Sequence, residues 1–142
     1  MFRKYLWETG VSSSNIILIN RLIKKLRKFK ISKSSNVLEI ASNDGSFLKL
    51  INKKFNCFSV GIEPAKNLKK KSFKNNLLTI TDYFNFKLSH KIKHRFNKFN
   101  FIFARNVLAH VSNPNEIFKG VHNLMHDNGV FIVEVPHLAN II

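Results

Sequence analysis

Three short segments of this 142-residue chain carry polar residues where a buried core would not need them. The run Val37-Leu38-Glu39-Ile40 leads into Ala41-Ser42-Asn43-Asp44-Gly45. These small side chains let backbone approach a ligand, and a helix starting there offers unpaired N–H groups to a carboxylate. Glu63-Pro64 follows about 20 residues later, where the acid of a β-α-β unit can accept both hydroxyls of a ribose. In the third segment, Ala104 to His110, Asn106 and His110 stand close together, and an imidazole can take and return a proton near neutral pH. Each segment also has a plainer reading. Acid-plus-glycine turns join strand to helix in many α/β proteins, Glu63 could complement a helix dipole, and His110 could simply close a strand-end loop. The first two at this spacing, within one β-α-β unit, favour a nucleotide-like ligand.

Such residues need a scaffold that brings strand ends together. Ile16, Ile19, Leu22, Ile23, Leu26 and Phe29 recur at three- and four-residue steps between lysines, which predicts an amphipathic helix over 12–29. Strands are predicted at 36–41, 58–62, 77–80, 99–104 and 130–135, each a short apolar run of the kind buried in a parallel sheet. Helical spacing returns over 45–55, and Pro64 suits the first turn of a helix. Asn113-Pro114-Asn115-Glu116 has the form of a helix start with a capping box, and Asp127-Asn128-Gly129 of a stop. Residues 83–98 are basic and irregular and receive no assignment. The alternation predicts a doubly wound, Rossmann-like α/β domain, with ligands at the carboxyl ends of the strands.

The bulk properties bound the partners. Lys and Arg number 24 against 8 Asp and Glu, a net charge of +16. Lys24, Lys25, Arg27, Lys28 and Lys30 form one cluster; Lys66, Lys69, Lys70, Lys71 and Lys74 form another. Because Asn, Ile and Phe are enriched alongside Lys, a compositional bias accounts for the charge, and only non-specific nucleic-acid affinity is expected. No apolar run reaches the roughly 18 residues of a membrane span, and Met1 to Tyr5 lacks the apolar region of a signal peptide. The lone Cys57 leaves no internal disulfide. A cytoplasmic protein with no membrane partner is expected. His122 and His126 are read as four apart on one helix, but Asn123 stands where a zinc protease has Glu and no third ligand is evident, so no metal site is expected. His90 and His94 are expected on the surface.

The segments VLEIASNDGSFL, VGIEPAKNL, FIFARNVLAHVSNP and FIVEVPHL resemble, in order and spacing, class I S-adenosylmethionine-dependent methyltransferases. More narrowly they are similar to the C-methyltransferases that act on nucleotide-linked deoxysugars. Ala41 and Asn43 replace commoner glycines and only Gly45 is kept, a departure shared with that narrower group. The missing second glycine argues against a nicotinamide dehydrogenase. The resemblance implies that Glu39, Ala41, Ser42, Asn43, Asp44 and Gly45 hold the methionine part of S-adenosylmethionine. It implies Glu63, with Pro64 beside it, at the ribose, and Asp82 and Tyr83 at the adenine. Asn106 would face cofactor and reacting centre, with His110 beside it as the proton-handling group. Tyr5, Trp7, Thr9, Ser12 and His137 would line the sugar nucleotide. The family chemistry deprotonates a carbon next to a sugar ketone, and the enolate carbon then takes the methyl group from sulfur.

The resemblance covers only the middle of that family's length. Its Cys-rich zinc region would precede Tyr5, and its Tyr/His/Glu cluster would follow Ile142. The expected organisation is a substrate-side segment with an amphipathic helix (1–30) and a cofactor-binding core (31–142) truncated after the fifth strand. Such a core would be catalytically incomplete alone, with a second chain supplying the missing C-terminal part. The alternatives are a methyltransferase acting on another small molecule or RNA, and a basic, non-enzymatic nucleic-acid-binding domain.

Overall fold

The computed structural model describes residues 13–74 and 77–135. The chain opens with helix α1 (Ser13–Leu26) and a 3-10 turn, Arg27–Phe29. Ile19, Ile23 and Leu26 recur on one face of α1 and are buried, as the spacing requires. Then come β1 (Asn36–Ile40), α2 (Ser46–Phe55), β2 (Phe58–Ile62), α3 (Lys66–Lys74) and β3 (Leu78–Ile80). The chain ends, as described, with α4 (Phe86–Phe96), β4 (Phe99–Arg105), α5 (Pro114–Leu124) and β5 (Met125–Glu134).

All strand pairs are parallel, in the order β3-β2-β1-β4-β5. The chain winds outward from β1 to β3, then crosses to β4 and winds the other way. The order therefore reverses between β1 and β4, and the crevice outside their carboxyl ends is where such sheets bind ligands. Successive side chains point to opposite faces. Leu38, Ile40, Ile102 and Ala104 meet Leu88, Ile92, Ile117, Val121 and Leu124 of α4 and α5. Val37, Phe101 and Phe103 meet Ile19, Ile23, Phe47, Leu48 and Ile51 of α1 and α2. The doubly wound α/β architecture predicted from the alternating pattern is thus the one observed. No described helix is long and apolar enough to cross a membrane.

Four sequence expectations are corrected. Residues 86–96, left unassigned, form α4. Its start is fixed by the Asn85 side chain, which accepts the Leu88 N–H at 2.8 Å, and Leu88 and Ile92 supply its buried stripe. The proposed capping box at Asn113 does not form: the Asn113 side chain makes no cap bond, and Glu116 Oε2 accepts the Phe86 N–H at 3.4 Å instead. Asp127-Asn128-Gly129 does not stop the helix. Helix α5 passes directly into β5 at Met125, and Met125 and Val130 pair with Phe99 and Phe101, so the Asp-Asn-Gly segment is a bulge in an edge strand. In consequence His126 lies in β5 rather than one turn along α5 from His122. Helix α3 starts at Lys66, two residues after Pro64. His90 and His94 are exposed as expected.

Candidate functional site

At the carboxyl end of β1 the chain turns sharply. Ala41, Asn43 and Gly45 have φ of 57°, 53° and 78°, in the left-handed region that favours glycine. The two positions where glycine was replaced therefore still demand its conformation. An alanine held there costs roughly 1–2 kcal/mol, part of which glycine would give back as chain entropy. Ala41→Gly is accordingly expected to stabilise the fold by about 0.5–1 kcal/mol. A higher urea midpoint at unchanged slope would show it.

Local bonds stiffen the turn. The Asn43 side chain accepts the Asp44 N–H at 2.8 Å, and the Asp44 carboxylate accepts the Ser46 N–H at 3.1 Å, in the first turn of α2. The Ser42 N–H reaches the Ile62 carbonyl at 3.0 Å, laying the turn across β2. That approach needs Gly61, where a Cβ would lie 2.4 Å from Ser42 Oγ. A glycine inside a strand was the available sequence signal for it.

Glu63, at the tip of β2, is 6% exposed. Its Oε2 accepts the Asn43 N–H at 2.9 Å and its Oε1 the Ala65 N–H at 2.9 Å. One carboxylate thus pins the β1 turn to the β2 turn. Burial pushes its carboxyl above the ordinary range, against the pull of those two N–H groups. A carboxylate has about four acceptor sites, so two backbone bonds leave capacity for hydroxyl groups.

On the other side of β1 lies a group that sequence reasoning missed. Arg105, at the end of β4, donates from Nε to Glu134 at 2.8 Å and from an Nη to Glu39 at 3.5 Å. Its guanidinium stacks on Phe47, 4.4 Å from the ring centroid. Glu39 is 2% exposed. Because its bond to Arg105 is the long one, desolvation prevails and its carboxyl is pushed up to about 8. A cation ending an otherwise apolar strand was the visible hint, but its partners lie 66 and 29 residues away.

Four buried side-chain oxygens make no hydrogen bond among the described residues: Glu39 Oε2, Ser42 Oγ, Ser59 Oγ and Thr81 Oγ1. Three of the four lie at or just beyond the carboxyl ends of β1 and β3. Buried polar atoms are seldom left unsatisfied, so these strand ends offer acceptors and hydroxyls to a polar ligand. Asp82 and Tyr83, just past β3, are exposed on the same rim. Asn106 (φ 52°) and His110 are also exposed, at the end of β4. The Asn106 N–H is held by the Glu134 carbonyl at 2.8 Å, and His110 closes the 3-10 turn Leu108–His110. The fold thus brings Glu39, Ala41 to Gly45, Glu63 and Pro64 into one constellation, with Asp82, Tyr83, Asn106 and His110 around it. Tyr5, Trp7, Thr9, Ser12 and His137 lie outside the described residues.

Comparison with known proteins follows the same lines. Residues 15–140 match a family model described as a methyltransferase domain. The chain is 26% identical, over 100% of its length, to the C-methyltransferase NovU of Streptomyces niveus, and spans 34% of that protein. Among solved structures, it resembles DesVI of Streptomyces venezuelae (TM-score 0.65, 16% identity), covering 97% of this chain and 61% of that one. It also resembles a SAM-dependent methyltransferase of Geobacter sulfurreducens solved with S-adenosyl-L-homocysteine (TM-score 0.63, 11% identity), covering 91% and 50%. At these identities the structural likeness speaks to fold.

Proposed function

This chain belongs to the methyltransferase-domain family, and from that premise we propose that it binds S-adenosylmethionine at the carboxyl ends of β1 and β2. The observation that carries this reading is the Glu63 clamp. A single buried carboxylate joins the Asn43 turn to the next strand end and keeps acceptor capacity beside it. The residues fit the cofactor. Small side chains from Ala41 to Gly45 allow its amino-acid part to come close to the backbone of the turn. Glu63 can take ribose hydroxyls, and Asp82 and Tyr83 border the place for an adenine. The unpartnered oxygens of Glu39, Ser42 and Thr81 give polar partners that the fold itself does not use.

When bound, the cofactor supplies an electrophilic methyl group on a sulfonium. The chain's own part is positioning. Arg105 holds the ends of β4 and β5 together through Glu134, and Asn106 is oriented by its N–H bond to the same residue. His110, exposed at the same strand end, is the group proposed to accept or return a proton on an acceptor. Holding carbon, methyl and sulfur in line lowers the barrier by removing orientational freedom.

The acceptor is read as a carbon of a nucleotide-linked keto-deoxysugar. Likeness to NovU, a C-methyltransferase, supports this, as does the Ser42-Asn43-Asp44-Gly45 turn. The proposed residues for the sugar nucleotide are Tyr5, Trp7, Thr9, Ser12 and His137. The part of the relatives' length that this chain does not span would come from a second chain or a longer product; a Haloferax volcanii methyltransferase of similar fold forms a complex with the Trm112 activator. The test is transfer of tritiated methyl from S-adenosylmethionine, with a nucleotide-linked keto-deoxysugar and bulk RNA as parallel acceptors. Label in the sugar supports the reading, and label confined to RNA overturns it. Label in neither, with the cofactor still bound, restricts this chain to cofactor binding.

A further inference from the structure

The fold sorts charge along the sheet axis. In a parallel α/β domain each helix runs back against the strands, so α1 to α5 all end at the edge opposite the cleft. Helices α1 to α4 contain no acidic residue. Each of the four carries a pair of basic side chains in its last turn: Lys24 and Lys25, Lys53 and Lys54, Lys71 and Lys74, Lys93 and Arg95. Arg27, Lys28 and Lys30 extend α1 onto the same edge and are exposed. The acids lie elsewhere: Glu39, Asp44, Glu63, Asp82 and Glu134 surround the cleft, and at the base Asp127 is already paired with Lys98 at 2.9 Å.

One cation per helix would complement the dipole. Two on each, with no acid in the same helix, make this edge positive. A compositional bias toward lysine supplies the number, and the common direction of the helices brings these pairs to one edge. Aromatic rings stand among the charges. Phe58, at the start of β2, is 43% exposed and lies 5.9 Å from Phe96. Arg95 stacks over Phe96 and Lys28 over Phe29. Cations that follow a phosphate backbone, interleaved with rings on which unpaired bases stack, are the combination that binds single-stranded nucleic acid. An anionic membrane would instead want aliphatic surface beside the charge. The exposed aliphatics of α1, Ile16 to Leu18, lie about ten residues, roughly 15 Å, before the Lys28 turn.

We propose that this basal edge, opposite the cofactor cleft, is a docking surface for single-stranded RNA or DNA. It is independent of what the cleft methylates. The test is fluorescence anisotropy with a labelled 12-nucleotide oligo(U), the duplex of the same length, and phosphatidylserine vesicles. The single strand should bind tightest, with a log–log salt slope of about −3 to −4, as expected for four to six phosphate contacts. Lys53→Gln with Lys54→Gln, both exposed, should weaken binding and flatten that slope. Phe58→Ala should weaken binding roughly tenfold at unchanged slope, as the loss of one stacked base would, and Phe58→Tyr should restore it. Equal binding of strand and duplex, indifference to Phe58→Ala in a folded sample, or preference for vesicles would each overturn the proposal.

Discussion

Glu63→Ala is expected to weaken S-adenosylmethionine binding at least 100-fold and to destabilise the fold by about 2–4 kcal/mol. The two effects have separate causes. The stability loss comes from the Asn43 and Ala65 N–H groups, both of which lose their acceptor; each buried donor left unmet costs about 1–3 kcal/mol, partly offset because a buried charge is also removed. The binding loss comes from the ribose acceptor and from the freed Asn43 turn. Glu63→Gln separates them: an amide oxygen can keep one of the N–H bonds, so about half the stability should return, while an NH2 cannot accept from the second hydroxyl. Calorimetric titration with S-adenosylhomocysteine, on samples whose circular dichroism shows them folded, reads both. A Glu63→Ala variant that binds as wild type would remove this residue from the site.

The second large effect is a pH dependence set by Glu39. Its carboxyl holds a proton up to about pH 8 in the folded chain, against an ordinary value of 4.5. Between those values the folded state binds more protons than the unfolded one, so stability falls as pH rises through that window. The difference amounts to roughly 3–6 kcal/mol from pH 4.5 to above pH 8. Glu63 contributes in the same direction. Glu39→Gln keeps the shape and removes the titration. Its urea-unfolding free energy should therefore decline much less between pH 5 and 8, and should exceed that of the wild type at pH 8. The same decline in both proteins would show that Glu39 is not the titrating group. Arg105→Met should steepen the problem, because it leaves both Glu39 and Glu134 without their cation.

What the sequence disclosed follows from the range of the interactions involved. Strands β1, β2 and β4 were legible nearly to the residue, because a fully buried parallel strand must be a short apolar run. The turn from Ala41 to Gly45 was legible because its small residues answer a local backbone demand, now visible as three positive φ angles. Helix α4 was obscured by six cationic and imidazole side chains around a stripe of only Leu88 and Ile92. The start of β5 was misplaced because Asp127-Asn128-Gly129 serves equally as a helix stop and as a strand bulge, and only pairing with Phe99 and Phe101 decides between them. The Glu39–Arg105–Glu134 group was invisible for the same reason. Its members are far apart in sequence and meet only when β1, β4 and β5 lie side by side.

The acidic strand end at Glu63 is where sequence and structure diverge most usefully. Spacing suggested an acid free to receive a ribose, whereas the fold already employs both of its oxygens to hold the turns around the cleft. It is therefore a support of the site as well as a proposed contact in it. The central claim is that this constellation binds S-adenosylmethionine, and the most direct measurement is isothermal titration of the folded chain with that cofactor. The account predicts saturable heat with one site per chain, lost in Glu63→Ala. A folded sample that gives no heat up to millimolar cofactor would contradict it.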